Sequence, residues 1–512
     1  MSSQATGDGP EDTSEQERVR REKLERIRAA GGDPYPRGYP RTISISELRA
    51  AHSALAPESA TGEIVSITGR VVLNRPGGKL LFATLQEGGE RVQVMLAADA
   101  AGPEAVAAWK SDVDLGDLVG VTGEVVTSRR GELSVRASSW ALTAKALRPL
   151  PDKHKGLADA EARVRQRYVD LIVNPDARRL LLARDAVLAS LRSTLRARGF
   201  VEAETPVLQA VHGGAAARPF STHLNAFDRD YSLRIALELS LKRLVVGGID
   251  RVFEIGRIFR NEGVDSTHSP EFTMLEAYEA YGDYDTMAEL TRALVLDAAT
   301  AVGATTVPDG CGGELDLTAP WRQATVHALV SEALGEAVDP GTGADELRRH
   351  AERSGVALQP GWGAGEIVLE LYEKLVEHTL LEPTFVRDYP VSVRPLARPH
   401  HDDPRLAEAW DLIIAGRELA PAYSELADPV EQRRRLTEQS SLAAGGNPKA
   451  MQLDEDFLRA LEHGMPPTGG LGLGVDRLLM LLTGTSGIRE TITFPLLRPQ
   501  MPGQTLPHET DM

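Results

Sequence analysis

The chain has 512 residues, of which 42% are hydrophobic and 26% charged, and its formal net charge is −17. This length and composition predict a globular protein of two or more domains, and the lack of an apolar run of ~18–20 residues excludes a membrane-spanning helix. A single cysteine, Cys311, excludes an internal disulfide and a cysteine zinc site, and the absence of a secretion signal favours the cytoplasm. The negative charge excludes general DNA coating, although a local basic surface could still contact RNA.

Two N-terminal segments precede the first β-rich region. Residues 1–12 are polar and acidic, which predicts a disordered tail. Residues 13–60 begin with the spacing of a capping box at Ser14 and Glu17, which predicts a basic helix that continues to Ala30 and ends at two glycines. Acidic residues interleave with the basic ones, as in a solvated, salt-bridged surface helix.

Residues 61–150 contain short runs of alternating apolar and polar residues, separated by turn signals such as Gly88–Gly89. This pattern predicts a five-stranded OB-fold β-barrel. Phe82 would lie on or beside the second and third strands with Arg75, Arg91 and Gln93. There an aromatic ring can stack on an unpaired base, and Arg or Gln can contact base edges. Alternation alone leaves open whether Phe82 instead belongs to the barrel core.

Residues 151–172 are predicted to be a linker, because nearby prolines and a basic cluster at residues 153–155 mark a boundary. A second domain is predicted at residues 173–500. It starts with an amphipathic helix, indicated by an apolar stripe from Leu180 to Leu195 and ended by Gly199. Residues 285 to about 383 show amphipathic helical patterns without a group of catalytic side chains, and residues 501–512 are a C-terminal tail.

Two alternating runs flank a polar loop between Arg251 and Tyr278, which predicts an antiparallel β-hairpin. An arginine fork binds phosphate bidentately, an aromatic face can stack on a base, and alternate carboxylates on one strand face can hold a cation. A solvated hairpin with a few charges is the alternative, and the density of these groups argues against it. The loop and the second strand carry Arg260, Glu262, His268, Phe272, Glu276 and Tyr278.

Three runs after the helical region, PTFVRDYPV, AWDLIIAGREL and AYSEL, predict further strands. Alternation across residues 412–414 makes Asp411 at least an edge residue, and Glu418 is the stronger candidate for a functional carboxylate. An ordinary polar strand is the alternative for both. The segment GMPPTGGLGLGVDRLLML then predicts a glycine-rich strand that leads into a helix carrying Arg477.

Three of these segments resemble the sequence motifs of the class II aminoacyl-tRNA synthetases. FRNEG followed by HSPEFTMLEAY resembles motif 2, specifically that of the lysyl branch. GFVEAETPVL, at residues 199–208, resembles motif 1, and GLGLGVDRLLML, at residues 470–481, resembles motif 3. The resemblance covers residues 12 to about 500. It implies an α+β protein, in which an OB-fold anticodon-binding domain precedes a class II catalytic domain with an antiparallel sheet flanked by helices and a helical insertion. It also implies a homodimer formed through motif 1.

The resemblance further implies a lysine–tRNA ligase, which uses ATP and Mg²⁺ to activate lysine and transfers it to lysine tRNA. Arg260 would bind the α-phosphate and the amino-acid carboxylate, Arg477 the γ-phosphate, and Phe272 would stack on adenine. The implied ATP-binding residues are Arg260, Glu262, His268, Phe272, Glu418, Gly474 and Arg477, and the metal ligands are Asp411 and Glu418. The implied lysine-binding residues are Gly214, Glu238, Arg260, Glu276, Tyr278, Tyr423 and Glu425. The implied anticodon-binding residues are Arg75, Phe82 and Gln93, which suit a U-rich anticodon.

Lysine is favoured over aspartate because a buried cationic side chain must meet opposite charge, and three of the implied pocket residues are glutamates. Several positions depart from the family pattern. Ser232, Leu237 and Ser240 stand where Tyr, Pro and Tyr are usual, and Pro421 stands where many relatives carry an Asn that holds the substrate carboxylate. Asp411 is shorter than the usual Glu. These departures suggest a diverged second copy with an altered pocket.

Other functions remain open on the sequence. A lysyl ligase with a protein or small-molecule acceptor is one alternative, but such relatives usually lack the OB domain. A non-catalytic tRNA-binding or regulatory paralogue is another, although the retained Arg260, Phe272 and Arg477 argue against it. A lipid-lysylating fusion is disfavoured, because no membrane segment accompanies the synthetase part. The N-terminal basic helix is equally well interpreted as a surface helix or, by the resemblance, as a tRNA contact.

Overall fold

The structure is a computed structural model that describes residues 14–75, 77–78, 80–151, 157, 159–444 and 451–499, with side chains 442–444 excepted. The chain forms two compact units, one ending at Arg178 and the other running from Arg179 to Pro499. The predicted tails at residues 1–12 and 501–512 and the basic cluster at residues 153–155 lie outside the described residues. No helix in the described ranges is both long and apolar enough to cross a membrane.

The first unit is a small β-barrel with attached helices. Its described elements are α1 (Glu15–Ala29), α2 (Ile45–Ala51), β1 (Ala60–Arg75), β2 (Leu80–Glu87), β3 (Glu90–Ala97), α3 (Ala98–Ala101), α4 (Pro103–Asp112), β4 (Leu118–Thr127), β5 (Leu133–Ala144), α5 (Ala160–Arg165) and α6 (Arg167–Val173). The strands close in the order β1-β2-β3-β5-β4, so the predicted five-stranded OB-fold is confirmed. Alternate residues such as Leu81 and Leu85 fill the barrel core because successive side chains of a strand point to opposite faces.

The predicted N-terminal helix is confirmed as α1, with Ser14 as its N-cap. The Ser14 hydroxyl accepts a hydrogen bond from the Glu17 backbone N–H at 3.3 Å. Arg20 is buried and donates to the backbone carbonyls of residues 115, 146 and 148, while the Lys23 ammonium lies 2.6 Å from the Asp114 carboxylate. Some of the helix's positive charge therefore serves to attach it to the barrel.

The second unit is an antiparallel sheet with helices packed around it, which confirms the predicted α+β class. Helix α7 (Pro175–Ala197) continues into it from the end of the first unit. The elements that follow are β6 (Val201–Glu202), β7 (Leu208–Gln209), β8 (Ser221–Leu224), β9 (Arg229–Leu233), α8 (Glu238–Val246), β10 (Arg251–Phe259), β11 (Glu271–Ala280), α9 (Tyr284–Val302), β12 (Thr306–Pro308), β13 (Glu314–Asp316), β14 (Arg322–Thr325), α10 (Val326–Leu334), α11 (Ala344–Arg353), α12 (Ala364–Leu375), β15 (Thr384–Pro390), β16 (Leu406–Ile414), β17 (Arg417–Ser424), α13 (Pro429–Ala444), α14 (Glu455–Glu462), β18 (Thr468–Gly474), α15 (Val475–Thr483) and α16 (Ile488–Thr491). Two single-turn 3₁₀ helices lie at Glu377–Thr379 and Val391–Val393.

The main sheet has the strand order β14-β15-β16-β17-β18-β11-β10-β6 within the described ranges. Neighbouring strands are antiparallel, except for the parallel pairs β14/β15 and β10/β6. One face packs against α7, α9 and α15 through residues such as Leu275, Trp410 and Leu473, which belong to a single hydrophobic cluster. The strand positions that alternate with these residues face the other way, and they carry the candidate site.

Asp411 is not an edge residue, so that prediction was wrong. It lies on β16 between two paired strands, opposite Val386 of β15 and Pro421 of β17. The apolar residues that follow it are buried on both sides of the sheet, with Leu412 in the cluster against α9 and Ile413 in the cluster of the α10–α12 region. A continuous apolar run of this kind is typical of an interior strand covered on both faces.

Candidate active site

The predicted hairpin is confirmed as the antiparallel pair β10 and β11, in regular register from Arg251 opposite Glu279 to Phe259 opposite Glu271. The loop between the strands is held by Asp265, whose carboxylate accepts hydrogen bonds from the backbone N–H groups of Thr267 at 2.7 Å and His268 at 2.8 Å. The Thr267 N–H is the main cause that lowers the pKa of Asp265 to about 2. This carboxylate therefore stays ionised and fixes His268 through its ring nitrogen Nδ1, 2.9 Å away.

The two predicted phosphate-binding arginines, Arg260 and Arg477, interact electrostatically with each other, and both interact with Glu418. Arg260 donates from Nε to the Ile235 carbonyl at 3.3 Å, and its guanidinium lies 5.3 Å from the centre of the Phe272 ring. Burial lowers the pKa of Arg260, while Glu276, Glu418 and Glu262 oppose that effect and Arg477 reinforces it. Arg477 donates to the Glu418 carbonyl at 2.8 Å and lies 3.3 Å from His268 Nε2. Gly474, at the end of β18, begins the helix that carries Arg477.

A cavity of about 620 Å³ opens beside Arg477. Its lining includes His268, Glu418 and two acidic residues of the helical region, Glu373 and Glu377. Burial raises the pKa of Glu377 to about 7, and the neighbouring Glu418 and Glu373 carboxylates add to the shift. The carboxylates therefore repel one another, and a hard cation with oxygen ligands would relieve that repulsion.

The predicted metal ligand Asp411 has a cationic partner within the protein. Its Oδ2 is paired with Arg394, whose guanidinium lies 4.1 Å from the centre of the Tyr389 ring and 5.9 Å from that of Tyr423. Burial raises the pKa of Asp411, Arg394 opposes the rise, and Glu418 adds to it. Carboxylate oxygens suit Mg²⁺, and Glu418 lies on the cavity wall. Asp411 interacts electrostatically with Glu418, but its Oδ2 already forms an ion pair with Arg394.

The three predicted pocket glutamates converge in the structure. Glu238, Glu276 and Glu425 are all buried. Glu276 accepts hydrogen bonds from the Leu237 backbone N–H at 2.9 Å and from the Tyr278 hydroxyl at 3.0 Å. Burial, followed by repulsion from Glu238, raises the pKa of Glu276 to about 7. A cation bound beside Glu276 would offset the burial and the repulsion that raise its pKa.

Glycines allow the side chains of this pocket to approach the backbone closely. A Cβ added at Gly470 would lie 2.0 Å from Glu425 Oε1 and 2.5 Å from the Tyr278 ring. A Cβ added at Gly214, where φ is +86°, would lie 3.1 Å from the Glu238 Cβ. Gly470 also lies opposite both Tyr278 and Tyr423 in the sheet register. The lack of a side chain at Gly470 therefore lets the Glu425 carboxylate and the Tyr278 ring lie directly against β18.

Two of the departures from the family pattern lie at this pocket. Leu237 supplies the N–H that binds Glu276, a hydrogen bond that a proline at this position could not donate. A Cβ added at Gly472 would lie 3.7 Å from Pro421 and 3.9 Å from Glu276, so the Pro421 ring faces the same space. Ser232 lies on β9, in the small sheet β7-β9-β8, and Ser240 lies on α8.

The three predicted anticodon-binding residues lie on the outside of the barrel. Phe82 is half-buried between the buried Leu81 and Ala83, so it faces away from the core. It lies opposite Arg75 of β1, and the next outward pair along β2 is Thr84 with Gln93. Gln93 donates from Nε2 to the Ser134 hydroxyl at 3.0 Å. The alternative that Phe82 is a core residue is therefore wrong.

Sequence reasoning missed four charged residues of the site. Glu373 lies on α12 and Glu377 begins the 3₁₀ helix after it, in the helical region in which no catalytic group was found. Lys242 follows Glu238 by four residues, so helical periodicity could have drawn attention to it. Arg394 lies in the connection between β15 and β16, where no local pattern indicates which carboxylate it contacts.

The hairpin, the two arginines and the glycine-rich strand together define a class II aminoacyl-tRNA synthetase. A family model described as "tRNA synthetases class II (D, K and N)" matches residues 159–498, and the chain belongs to this family. A second model, described as "OB-fold nucleic acid binding domain", matches residues 65–143.

The matches to individual proteins narrow the family to the lysine–tRNA ligases. The chain is 57% identical over 500 residues to the lysine–tRNA ligase of Kineococcus radiotolerans, covering 96% of this chain and 100% of that protein. It is 55% identical over 495 residues to that of Mycolicibacterium gilvum, covering 96% and 98%. It is also 53% identical over 491 residues to the lysylphosphatidylglycerol biosynthesis bifunctional protein LysX of Nocardia farcinica, covering 95% of this chain and 43% of that protein.

Proposed function

We propose that this chain is a lysine–tRNA ligase, which activates L-lysine with ATP and transfers the lysyl group to the 3′ end of lysine tRNA. The observation that carries the proposal is the buried cluster of Glu238, Glu276 and Glu425 close to Arg260. An alkylammonium group is the substrate that such a cluster suits, whereas the three carboxylates would repel an aspartate side chain.

Activation is assigned to cations and positioning, because the lysine carboxylate is already a nucleophile. Attack of its oxygen on the α-phosphorus forms lysyl-adenylate and releases pyrophosphate. Arg260 interacts electrostatically with both Glu276, in the pocket, and Glu418, on the cavity wall. It can therefore bind the lysine carboxylate and the α-phosphate together and offset their repulsion. Arg477, oriented by the Glu418 carbonyl and next to His268, would bind the γ-phosphate.

Phe272 and Glu262 would hold the adenine end of ATP, with Phe272 stacking on the base. The Arg260 guanidinium already lies over the Phe272 ring, so a base stacked on Phe272 would also lie close to Arg260. Glu418 and Asp411 would hold Mg²⁺, which when bound would neutralise phosphate charge. At the other end, Tyr278, Tyr423 and the backbone at Gly214 would enclose the lysine side chain.

Transfer would follow when a ribose hydroxyl of the tRNA terminus attacks the anhydride carbonyl and AMP leaves. We assign recognition of the U-rich anticodon to Arg75, Phe82 and Gln93, since a half-buried ring on the outer face of a barrel can stack on an unpaired base. We also assign a homodimer to motif 1, because its apolar residues Val201, Val207 and Leu208 are exposed in the single chain. A cytoplasmic location remains our prediction.

Exchange of labelled pyrophosphate into ATP, measured with each of the twenty amino acids, tests the activation step. We expect lysine to support exchange and the purified protein then to charge lysine tRNA. Exchange without charging would move the function to a ligase with another acceptor. The absence of exchange with every amino acid would leave the non-catalytic paralogue, and exchange with aspartate or asparagine would refute the assignment of the pocket.

A further inference from the structure

The pocket that we assign to the lysine ammonium already contains an ammonium of the protein. Lys242, on α8, has a fully buried side chain. Its Nζ lies 2.5 Å from Glu238 Oε1 and 2.5 Å from Glu425 Oε2. Burial opposes the charged form, but the two glutamates together raise the pKa of Lys242, so the group is a permanent cation. It is not among the residues assigned above to the substrate.

The contacts of Lys242 divide the carboxylate oxygens into two sets. Oε1 of Glu238 and Oε2 of Glu425 face Lys242, and both oxygens of Glu276 accept hydrogen bonds from Leu237 and Tyr278. The remaining oxygens are Oε2 of Glu238 and Oε1 of Glu425. A Cβ added at Gly214 would lie 3.8 Å from the first, and a Cβ added at Gly470 would lie 2.0 Å from the second. Glu425 Oε1 therefore lies in the space that a side chain at position 470 would fill, and Glu238 Oε2 lies beside Gly214.

The pocket has more negative than positive groups. The pocket holds three buried carboxylates and one internal ammonium, which contacts two of them, and Arg260 is a further cation on the side of Glu276. Glu425 is subject to burial and to repulsion from Glu238 and Glu276, both of which Lys242 opposes. Three carboxylates and the ammonium of Lys242 leave a charge of −2, which the α- and ε-ammonium groups of one lysine would balance.

We propose that Lys242 is a positioning residue for substrate recognition, which holds Glu238 and Glu425 in place so that their other oxygens are available to the ammonium groups of lysine. This inference rests on the proposed function and deepens it. Lys242 does not touch the reacting atoms. It acts through the two glutamates.

Removal of the ammonium should weaken lysine binding for a geometric reason. The two oxygens that it joins lie no more than about 5 Å apart, because each is 2.5 Å from the same nitrogen. Two carboxylates at this distance in a buried site repel each other, so one takes up a proton or turns away. In either case the substrate ammonium loses a charged partner, while the ATP end of the site is unaffected.

The chain offers a matched control. Lys145, in the first unit, is also fully buried and also joins two carboxylates, with its Nζ 2.6 Å from both Asp114 and Asp117. Lys242→Met and Lys145→Met therefore remove the same kind of bridge. Lysine-dependent pyrophosphate exchange, which we assign to the second unit, is measured for both variants and for the wild-type protein.

For Lys242→Met we expect the KM for lysine to rise at least about tenfold, a change equal in free energy to a shift of one unit in the pKa of one carboxyl group. The KM for ATP and kcat should change less than about threefold. For Lys145→Met we expect an unchanged KM for lysine, whatever its effect on stability. A KM for lysine within about threefold of wild type in Lys242→Met, or an equal rise in the KM values for lysine and ATP, would overturn the inference.

Lys242→Ala provides a second measurement, because n-propylammonium has the atoms that this substitution removes beyond Cβ. Added propylammonium should lower the KM for lysine towards the wild-type value, whereas n-propanol should not. Equal rescue by both compounds, or rescue by neither, would overturn the positioning role of the charge. Failure of the wild-type protein to use lysine would refute the proposed function itself, whereas normal wild-type activity with an unaffected Lys242→Met would refute only this inference.

Discussion

Lysine binding should weaken when the pH is lowered from about 8 to about 6, because Glu276 titrates within this range. Burial and repulsion from Glu238 raise the pKa of Glu276 to about 7, from an ordinary value of 4.5. Below that pH the carboxyl group of the free protein holds a proton. An ammonium ligand must then displace this proton before it meets a charged partner.

The magnitude follows from the fraction of Glu276 that is ionised. With a pKa of about 7, that fraction falls about tenfold between pH 8 and pH 6, so the Kd for lysine should rise about tenfold. Glu425 acts in the same direction, since burial raises its pKa and Glu238 and Glu276 add to the rise. The groups that act on Glu276 are Glu238 on α8, Tyr278 on β11, Glu425 after β17, and Arg260.

The same shift has a consequence for stability. A carboxyl group whose pKa is raised in the folded protein stabilises the fold while it holds its proton, and that contribution is lost as the pH rises through about 7. The contribution of Glu276 to the stability of the free protein is therefore smaller at pH 8 than at pH 6. Bound lysine supplies the missing cation. It should therefore raise the melting temperature more at pH 8 than at pH 6.

Calorimetric titration of lysine across this pH range measures the effect. Glu276→Gln should bind lysine weakly and with a reduced pH dependence, while Glu336→Gln, at an exposed ion pair with Arg353, should keep the wild-type profile. An affinity that is constant from pH 8 to pH 6, or one that increases on acidification, would refute the reasoning. A full pH dependence retained in Glu276→Gln would refute the assignment to this residue.

Three substitutions test other parts of the site. Arg260→Met should lower kcat for pyrophosphate exchange by about 10²–10³-fold with the fold intact by circular dichroism, and a loss below about threefold would contradict its role. Gly470→Ala should raise the KM for lysine by at least about tenfold, because its Cβ would lie 2.0 Å from Glu425 Oε1, whereas Gly343→Ala, with no atom within 4 Å of its Cβ, should not. Phe82→Ala should lower kcat/KM for tRNA by about 5–150-fold and leave pyrophosphate exchange unchanged, and an equal loss in both assays would contradict anticodon stacking.

Most of the fold could be predicted from local pattern. The hairpin β10/β11 and the strand β18 have alternation and turn chemistry that are complete within each segment, and the barrel strands repeat the same pattern. The shared face of Glu276 and Tyr278 follows directly from the two-residue period of a strand. The wrong prediction for Asp411 arose because an interior strand covered on both faces loses this alternation.

The charge partners within the site could not be predicted in the same way. Arg394 pairs with Asp411 only because β15 and β16 lie side by side, and the residues between them give no periodic signal. Lys242 meets Glu425 only because α8 packs where β17 ends. Such contacts depend on the tertiary arrangement, and they decide how many charges the pocket can accept.

The most direct test of the central claim uses non-hydrolysable adenylate analogues, which occupy the nucleotide and side-chain ends of the site together. We predict that the sulfamoyl analogue of lysyl-adenylate binds the wild-type protein at least about 100-fold more tightly than the aspartyl analogue, since a buried carboxylate would face three others in this pocket. Equal affinity for the two analogues, or tighter binding of the aspartyl form, would contradict the assignment of this pocket to lysine.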